Sequence, residues 1–66
     1  MANVIGYRIY KEFTDENGDV IHKRPLARTG KKEAAINYAR AWCALDTITA
    51  VYECYSDGTQ QKIYTC

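Results

Sequence analysis

Few side chains in this sequence could carry chemistry. His22 is the only histidine among 66 residues, and the predicted strand register makes Glu12 its neighbour. Such a cross-strand pair is a salt bridge unless a substrate proton lies within reach of it. Cys43, Cys54 and Cys66 make an odd count with none of the close CxxC spacings of a zinc site. In the register predicted for the last hairpin, Cys54 and Cys66 fall several residues out of step, beyond disulfide reach. The sequence therefore predicts three reduced thiols, two of them small buried apolar groups, with Cys66 exposed at the terminus. No predicted histidine accompanies Cys43 or Cys54, and no paired carboxylates project into a cleft. The expectation is a protein without catalytic residues, cofactor, metal or small-molecule substrate.

Charge offers more. From His22 to Lys32 the chain carries Lys23, Arg24, Arg28, Lys31 and Lys32 without one acidic residue. Arg28, Lys31 and Lys32 gather where a helix should begin, and the free N–H groups of a helix start can hold an anion. They are the candidate anion-binding residues, set against the plainer reading of a solvated basic rim. Gly30-Lys31 lacks the upstream glycine and the leading apolar strand of a phosphate-binding loop.

The elements that position these groups follow from periodicity. Between Gly30 and Asp46, residues Ala35, Tyr38, Ala39, Trp42, Cys43 and Leu45 recur at helical spacing, with Ile36 at the margin. Gly30 or Thr29 is the expected N-cap, with Glu33 reaching back. Residues 4–13 alternate, placing Ile5, Tyr7, Ile9 and Phe13 on one face and Arg8, Tyr10 and Glu12 on the other. In the turn Thr14–Asp19, Asn17-Gly18 suits either a two-residue type I′ loop or a three-residue loop with Gly18 left-handed; the second is preferred, because it sets Phe13 against Ile21 and Glu12 against His22. Residues 20–27 contain Pro25, which has no N–H for a central ladder, so this is an edge strand. Residues 47–55 and 59–66 form a second hairpin through Asp57-Gly58, read as a two-residue turn pairing Glu53 with Lys62 and Tyr52 with Ile63.

The fold class is thus α+β: one domain over residues 1–66, two layers in the order ββαββ. Its four-stranded antiparallel sheet carries one helix on one face. The two most apolar strands, the first and third, belong in the centre. That predicts strand order 2-1-3-4 with a right-handed crossover through the helix. The alternative, 2-1-4-3, is the order of β-grasp-like immunoglobulin-binding domains. A hairpin followed by the helix start Lys31-Lys32-Glu33-Ala34 resembles the arm-type DNA-binding domains of tyrosine recombinases over the first two-thirds of the chain. Those domains have three strands before the helix and this chain has two, so the family is not assigned.

One helix covers one sheet face. The other face is expected to carry Arg8, Tyr10, Glu12, Arg24, Val51, Glu53, Tyr55, Lys62 and Tyr64. Six tyrosines are a heavy load for such a chain, and tyrosine combines contact area with a hydroxyl at low entropic cost. Arg8, Tyr10, Arg24, Tyr55 and Tyr64 are therefore the candidate partner-binding residues. The function expected is a non-catalytic module working through protein–protein contact, as a regulatory or inhibitory protein or a homodimer through the tyrosine-rich face. The alternative is nucleic-acid binding, with segment 23–32 gripping phosphates and sheet tyrosines stacking on bases. A formal net charge of +1 gives no whole-protein attraction to nucleic acid or anionic membrane. No apolar run has the length of a membrane span, and Met1-Ala2-Asn3 leads into a strand pattern, so the expected compartment is cytoplasmic.

Overall fold

The computed structural model describes residues 2–45 and 48–66. β1 (Val4–Thr14) and β2 (Val20–Thr29) form one hairpin, α1 (Lys32–Cys43) follows, and β3 (Thr49–Tyr55) and β4 (Gln60–Thr65) form the second. The sheet is antiparallel in the order β2-β1-β3-β4, as predicted, and not 2-1-4-3. α1 packs over β1, β2 and β3 on one face. Asp46 and Thr47, expected to close the helix and open the third strand, lie outside the described residues.

Both hairpins close with the same loop. Gly18 N–H donates to the Asp15 carbonyl at 3.0 Å, and Asp15 N–H to the Asp19 carbonyl at 3.0 Å. Gly58 and Tyr55 repeat this, with Gly58 N–H on the Tyr55 carbonyl and Tyr55 N–H on the Thr59 carbonyl. Gly18 (φ 85°) and Gly58 (φ 88°) hold the left-handed position that ends a three-residue loop. The first loop matches expectation; the second corrects the predicted two-residue turn. Asp15 and Asp57 stiffen the loops by accepting backbone N–H groups two residues on, at 2.9 and 3.0 Å.

Four β-bulges interrupt the ladders. The extra residues are Ile5 on β1, Ile21 and Leu26 on β2, and Ile63 on β4. The bulge at Ile21 sets Phe13 opposite His22 and Glu12 opposite Lys23, so the predicted His22–Glu12 pair does not form. In the second hairpin the three-residue loop sets Tyr52 opposite Lys62 and Glu53 opposite Gln61, and the bulge at Ile63 then returns Val51 and Tyr64 to the predicted offset. Each bulge carries its strand past the partner by one residue, and in a period-2 structure that exchanges faces.

The core lies between α1 and the centre of the sheet. Ala35 and Ala39 are fully buried, and their small side chains let the helix lie close on Ile9 and Val51. Thr49 is buried with them; its hydroxyl donates to the Ala39 carbonyl at 2.9 Å, satisfying both groups and tying β3 to the helix. The helix is shorter than Gly30–Asp46. Its N-cap is Lys31, correcting Gly30 or Thr29, although the Thr29 hydroxyl accepts the Lys31 N–H at 3.3 Å. Tyr38 is more than a third exposed and Leu45 largely so, because the apolar arc is wider than the part the sheet covers.

The cysteines also depart from expectation. Cys43, at the end of α1, and Cys66, just beyond β4, form a disulfide with Cα atoms 6.2 Å apart. The prediction of three reduced thiols is corrected: only Cys54 is free, and it is buried. Thr49 makes the meeting possible, because Cys66 N–H donates to its carbonyl at 3.3 Å while its side chain holds α1. The helix end and the last strand thus meet over one residue, a proximity that no hairpin register could reveal.

Candidate functional site

Register assigns the paired residues at the centre of the sheet to its two faces. On the helix side lie Tyr7, Ile9, Lys11, Ala27, Thr49, Val51, Glu53, Tyr55, Gln61 and Tyr64. On the opposite side lie Gly6, Arg8, Tyr10, Glu12, Lys23, Pro25, Arg28, Ala50, Tyr52, Cys54, Gln60 and Lys62.

This divides the five candidate partner-binding residues. Arg8 and Tyr10 stand on the bare face, as expected. Tyr55 and Tyr64 do not: the two faces of β3 are the reverse of the prediction, and Tyr64 packs on the hydrophobic core beside Val51. Arg24 sits opposite Lys11 on the helix-side row of the edge strand, exposed but apart from Arg8 and Tyr10. The alternation of β3 could not choose, since Ala50, Tyr52 and Cys54 make as plausible an inner row as Thr49, Val51 and Tyr55. The hydroxyl of Thr49, a partner for a helix carbonyl, was the available signal.

The centre of the bare face is a polar–aromatic cluster. Glu12 is 4% exposed; its Oε2 accepts the Tyr52 hydroxyl at 2.9 Å and its Oε1 accepts Lys62 Nζ at 3.0 Å. Tyr10 and Tyr52 meet edge to face with ring centroids 5.4 Å apart. Lys23 Nζ lies 4.4 Å from the Tyr52 centroid and 5.4 Å from that of Tyr10, and Lys62 Nζ lies 5.6 Å from Tyr52. The hydrogen bond to Glu12 holds the Lys62 ammonium above its ordinary pKa. Glu12 was expected beside His22; what it does is anchor the tyrosine–lysine layer. His22 instead packs its ring near Phe13, centroids 5.4 Å apart.

A second carboxylate is tied down on the helix side. Glu53 accepts hydroxyls from Tyr7 at 3.1 Å and Tyr55 at 2.5 Å, and Tyr55 also contacts Gln61 Oε1 at 3.0 Å. One phenol has one proton, so with Glu53 accepting it the Gln61 amide belongs turned, its nitrogen donating to the Tyr55 oxygen. Burial and then Glu53 raise the Tyr7 phenol above its ordinary pKa; for Tyr55 the Glu53 hydrogen bond is the larger cause.

Beyond the central cluster the bare face is cationic. Arg8 and Arg28 stand directly opposite each other on β1 and β2. Two shallow depressions of about 430 and 350 Å³ adjoin them, and both residues line both. The three candidate anion-binding residues are also divided: Arg28 joins Arg8, while exposed Lys31 and Lys32 cap and begin α1 and line neither depression. Among the described residues no group of His, Cys, Asp or Glu is placed to hold a metal, and no helix is long and apolar enough to cross a membrane. No protein-family model, curated protein or solved structure matches this chain.

Proposed function

We propose that this chain is a small non-catalytic binding module that docks an acidic protein surface on the sheet face opposite its helix. One observation carries the reading. Among the described residues that face holds four cations, Arg8, Lys23, Arg28 and Lys62, and a single carboxylate, Glu12, which is buried and already paired. The face is a fixed positive surface with two half-buried tyrosines at its centre, and a negative surface complements it. In a two-fold dimer the same patch meets itself, so two copies of this face would repel and an acidic second protein is favoured over a homodimer. A module of this kind suits a regulatory or inhibitory protein.

Nucleic acid is the weaker reading. Lys23 and Lys62 lie over the Tyr52 ring and Lys23 over Tyr10, leaving little ring surface for a base. For the compartment, the Cys43–Cys66 bridge supports an oxidising one over the cytosol, where thiols are kept reduced.

Amide chemical-shift mapping with poly-glutamate and with single-stranded DNA tests the proposal. Saturable shifts at Arg8, Tyr10, Lys23, Arg28 and Lys62 with poly-glutamate support it. Absence of saturation at low salt, or tighter binding of DNA, overturns it.

A further inference from the structure

We infer that Arg8 and Arg28 together form the carboxylate-binding point of the bare face, where an acidic side chain of the partner is gripped by two guanidinium groups. The inference rests on the reading of that face as a docking surface for an acidic protein, and it names the contact at which recognition is focused.

Three independent observations converge on this pair. The first is the register. Like charges placed directly opposite on neighbouring strands oppose sheet formation, yet Arg8 and Arg28 are Cα partners. Their meeting depends on the bulge at Leu26. From Tyr10↔Pro25 to Phe13↔His22 the two strands keep one offset, and carried forward it would set Arg8 opposite Ala27 and turn Arg28 toward the helix. The extra residue at Leu26 gives Ala27 to the core beside Ile9 and sends Arg28 to the bare face beside Arg8. Bulges characteristically re-aim a side chain in this way.

The second observation is the absence of internal neutralisation. Among the described residues the one ion pair is Lys62–Glu12, and neither arginine has a carboxylate partner. Both guanidinium groups are thus exposed, permanently charged and without a counter-ion from the chain itself.

The third is shape. Gly6, with no side chain, and buried Cys54 leave the floor low beside Arg8 in the larger depression, and Thr29 and Gly30 border it on the Arg28 side. Pro25 and Leu26 border the smaller depression on the far side. The pair therefore stands as a ridge between two hollows, open to a side chain approaching along the strands. Guanidinium matches a carboxylate through two parallel hydrogen bonds, which a lysine pair could not offer.

The test is amide and guanidinium NMR titration of the full chain with a blocked tetra-aspartate peptide, and separately with inorganic phosphate, at constant ionic strength. The inference predicts saturable peptide shifts centred on Gly6, Arg8, Arg28 and Gly30. Arg8→Gln and Arg28→Gln should each weaken binding about tenfold, against less than about threefold for Lys31→Gln. Non-saturating shifts spread over all lysines, or unchanged binding by both arginine variants, would overturn it; so would saturation by phosphate alone, which would replace the carboxylate. The wild-type titration decides the location even if a variant fails to fold. Should poly-glutamate bind through Lys23 and Lys62 with Arg8→Gln unaffected, the docking reading stands and this inference falls. Should the short peptide saturate at the arginines while poly-glutamate gains nothing from the rest of the face, the reverse holds.

Discussion

Lys62 Nζ lies 3.0 Å from Glu12 Oε1, joining β4 to β1 across the intervening β3. Tyr52 of β3 bonds the other oxygen of the same carboxylate, so one side chain holds three strands together on the face without a helix. The polar cluster takes the place that a second helical layer would fill. It also leaves Glu12 unable to neutralise the remaining cations of that face.

The two ends of this pair are unequal, and their variants should show it. Glu12 is buried, whereas the Lys62 side chain is 36% exposed. Lys62→Met leaves a buried carboxylate with one fewer partner and should cost about 2 kcal/mol, after allowance for the screening of a partly exposed pair. Glu12→Gln keeps the shape and removes the buried charge, and should cost about 1 kcal/mol. Urea unfolding of the two variants gives the order; a larger loss for Glu12→Gln would contradict it.

The disulfide between Cys43 and Cys66 closes a loop at a sequence separation of 23 and fastens the last strand to the end of the helix. Chain-entropy arguments give a bridge of this span about 3 kcal/mol. Reduction, or the paired change Cys43→Ser with Cys66→Ser, should lower stability by that amount while Cys54→Ser leaves the bridge in place. Hydrogen exchange should then report the largest rise at β4 and the end of α1.

At alkaline pH three groups act in one direction. Tyr7 and Tyr55 have folded pKa values above 10.0 and Lys62 above 10.5. For a group whose folded value is raised, the stabilisation is whole below the unfolded pKa and vanishes as pH climbs through the folded one. Ionising either phenol sets a second negative charge against Glu53, and neutralising Lys62 strips Glu12 of its counter-ion. Stability should therefore hold up to about pH 10 and fall above it. Tyrosinate absorbance of the native protein should contain a late-ionising component that Tyr7→Phe and Tyr55→Phe each reduce. A native titration curve whose late part neither variant alters would contradict the Glu53 arrangement.

Element order, strand order and the burial of Ala35 and Ala39 were legible because long-period patterns survive local irregularity. The faces were not. Ile21 and Ile63 are bulged residues that look like ordinary strand aliphatics, and each one alters which side chains meet. Arg8 and Tyr10 could be placed because β1 alternates cleanly through them. Tyr55 and Tyr64 could not, because β3 is apolar on both sides, buried by α1 at Val51 and by the tyrosine layer at Ala50. The Cys43–Cys66 contact depended on tertiary packing around Thr49, which no local pattern encodes.

The most direct measurement compares two charge reversals of equal size by isothermal titration with poly-glutamate. Lys23→Glu with Arg28→Glu inverts the sheet face, while Lys31→Glu with Lys32→Glu alters the helix start by the same net charge. If the sheet face is the docking surface, the first pair should reduce affinity by about tenfold or more and the second by less than about threefold. Equal losses from both pairs, or a greater loss from the second, would contradict it.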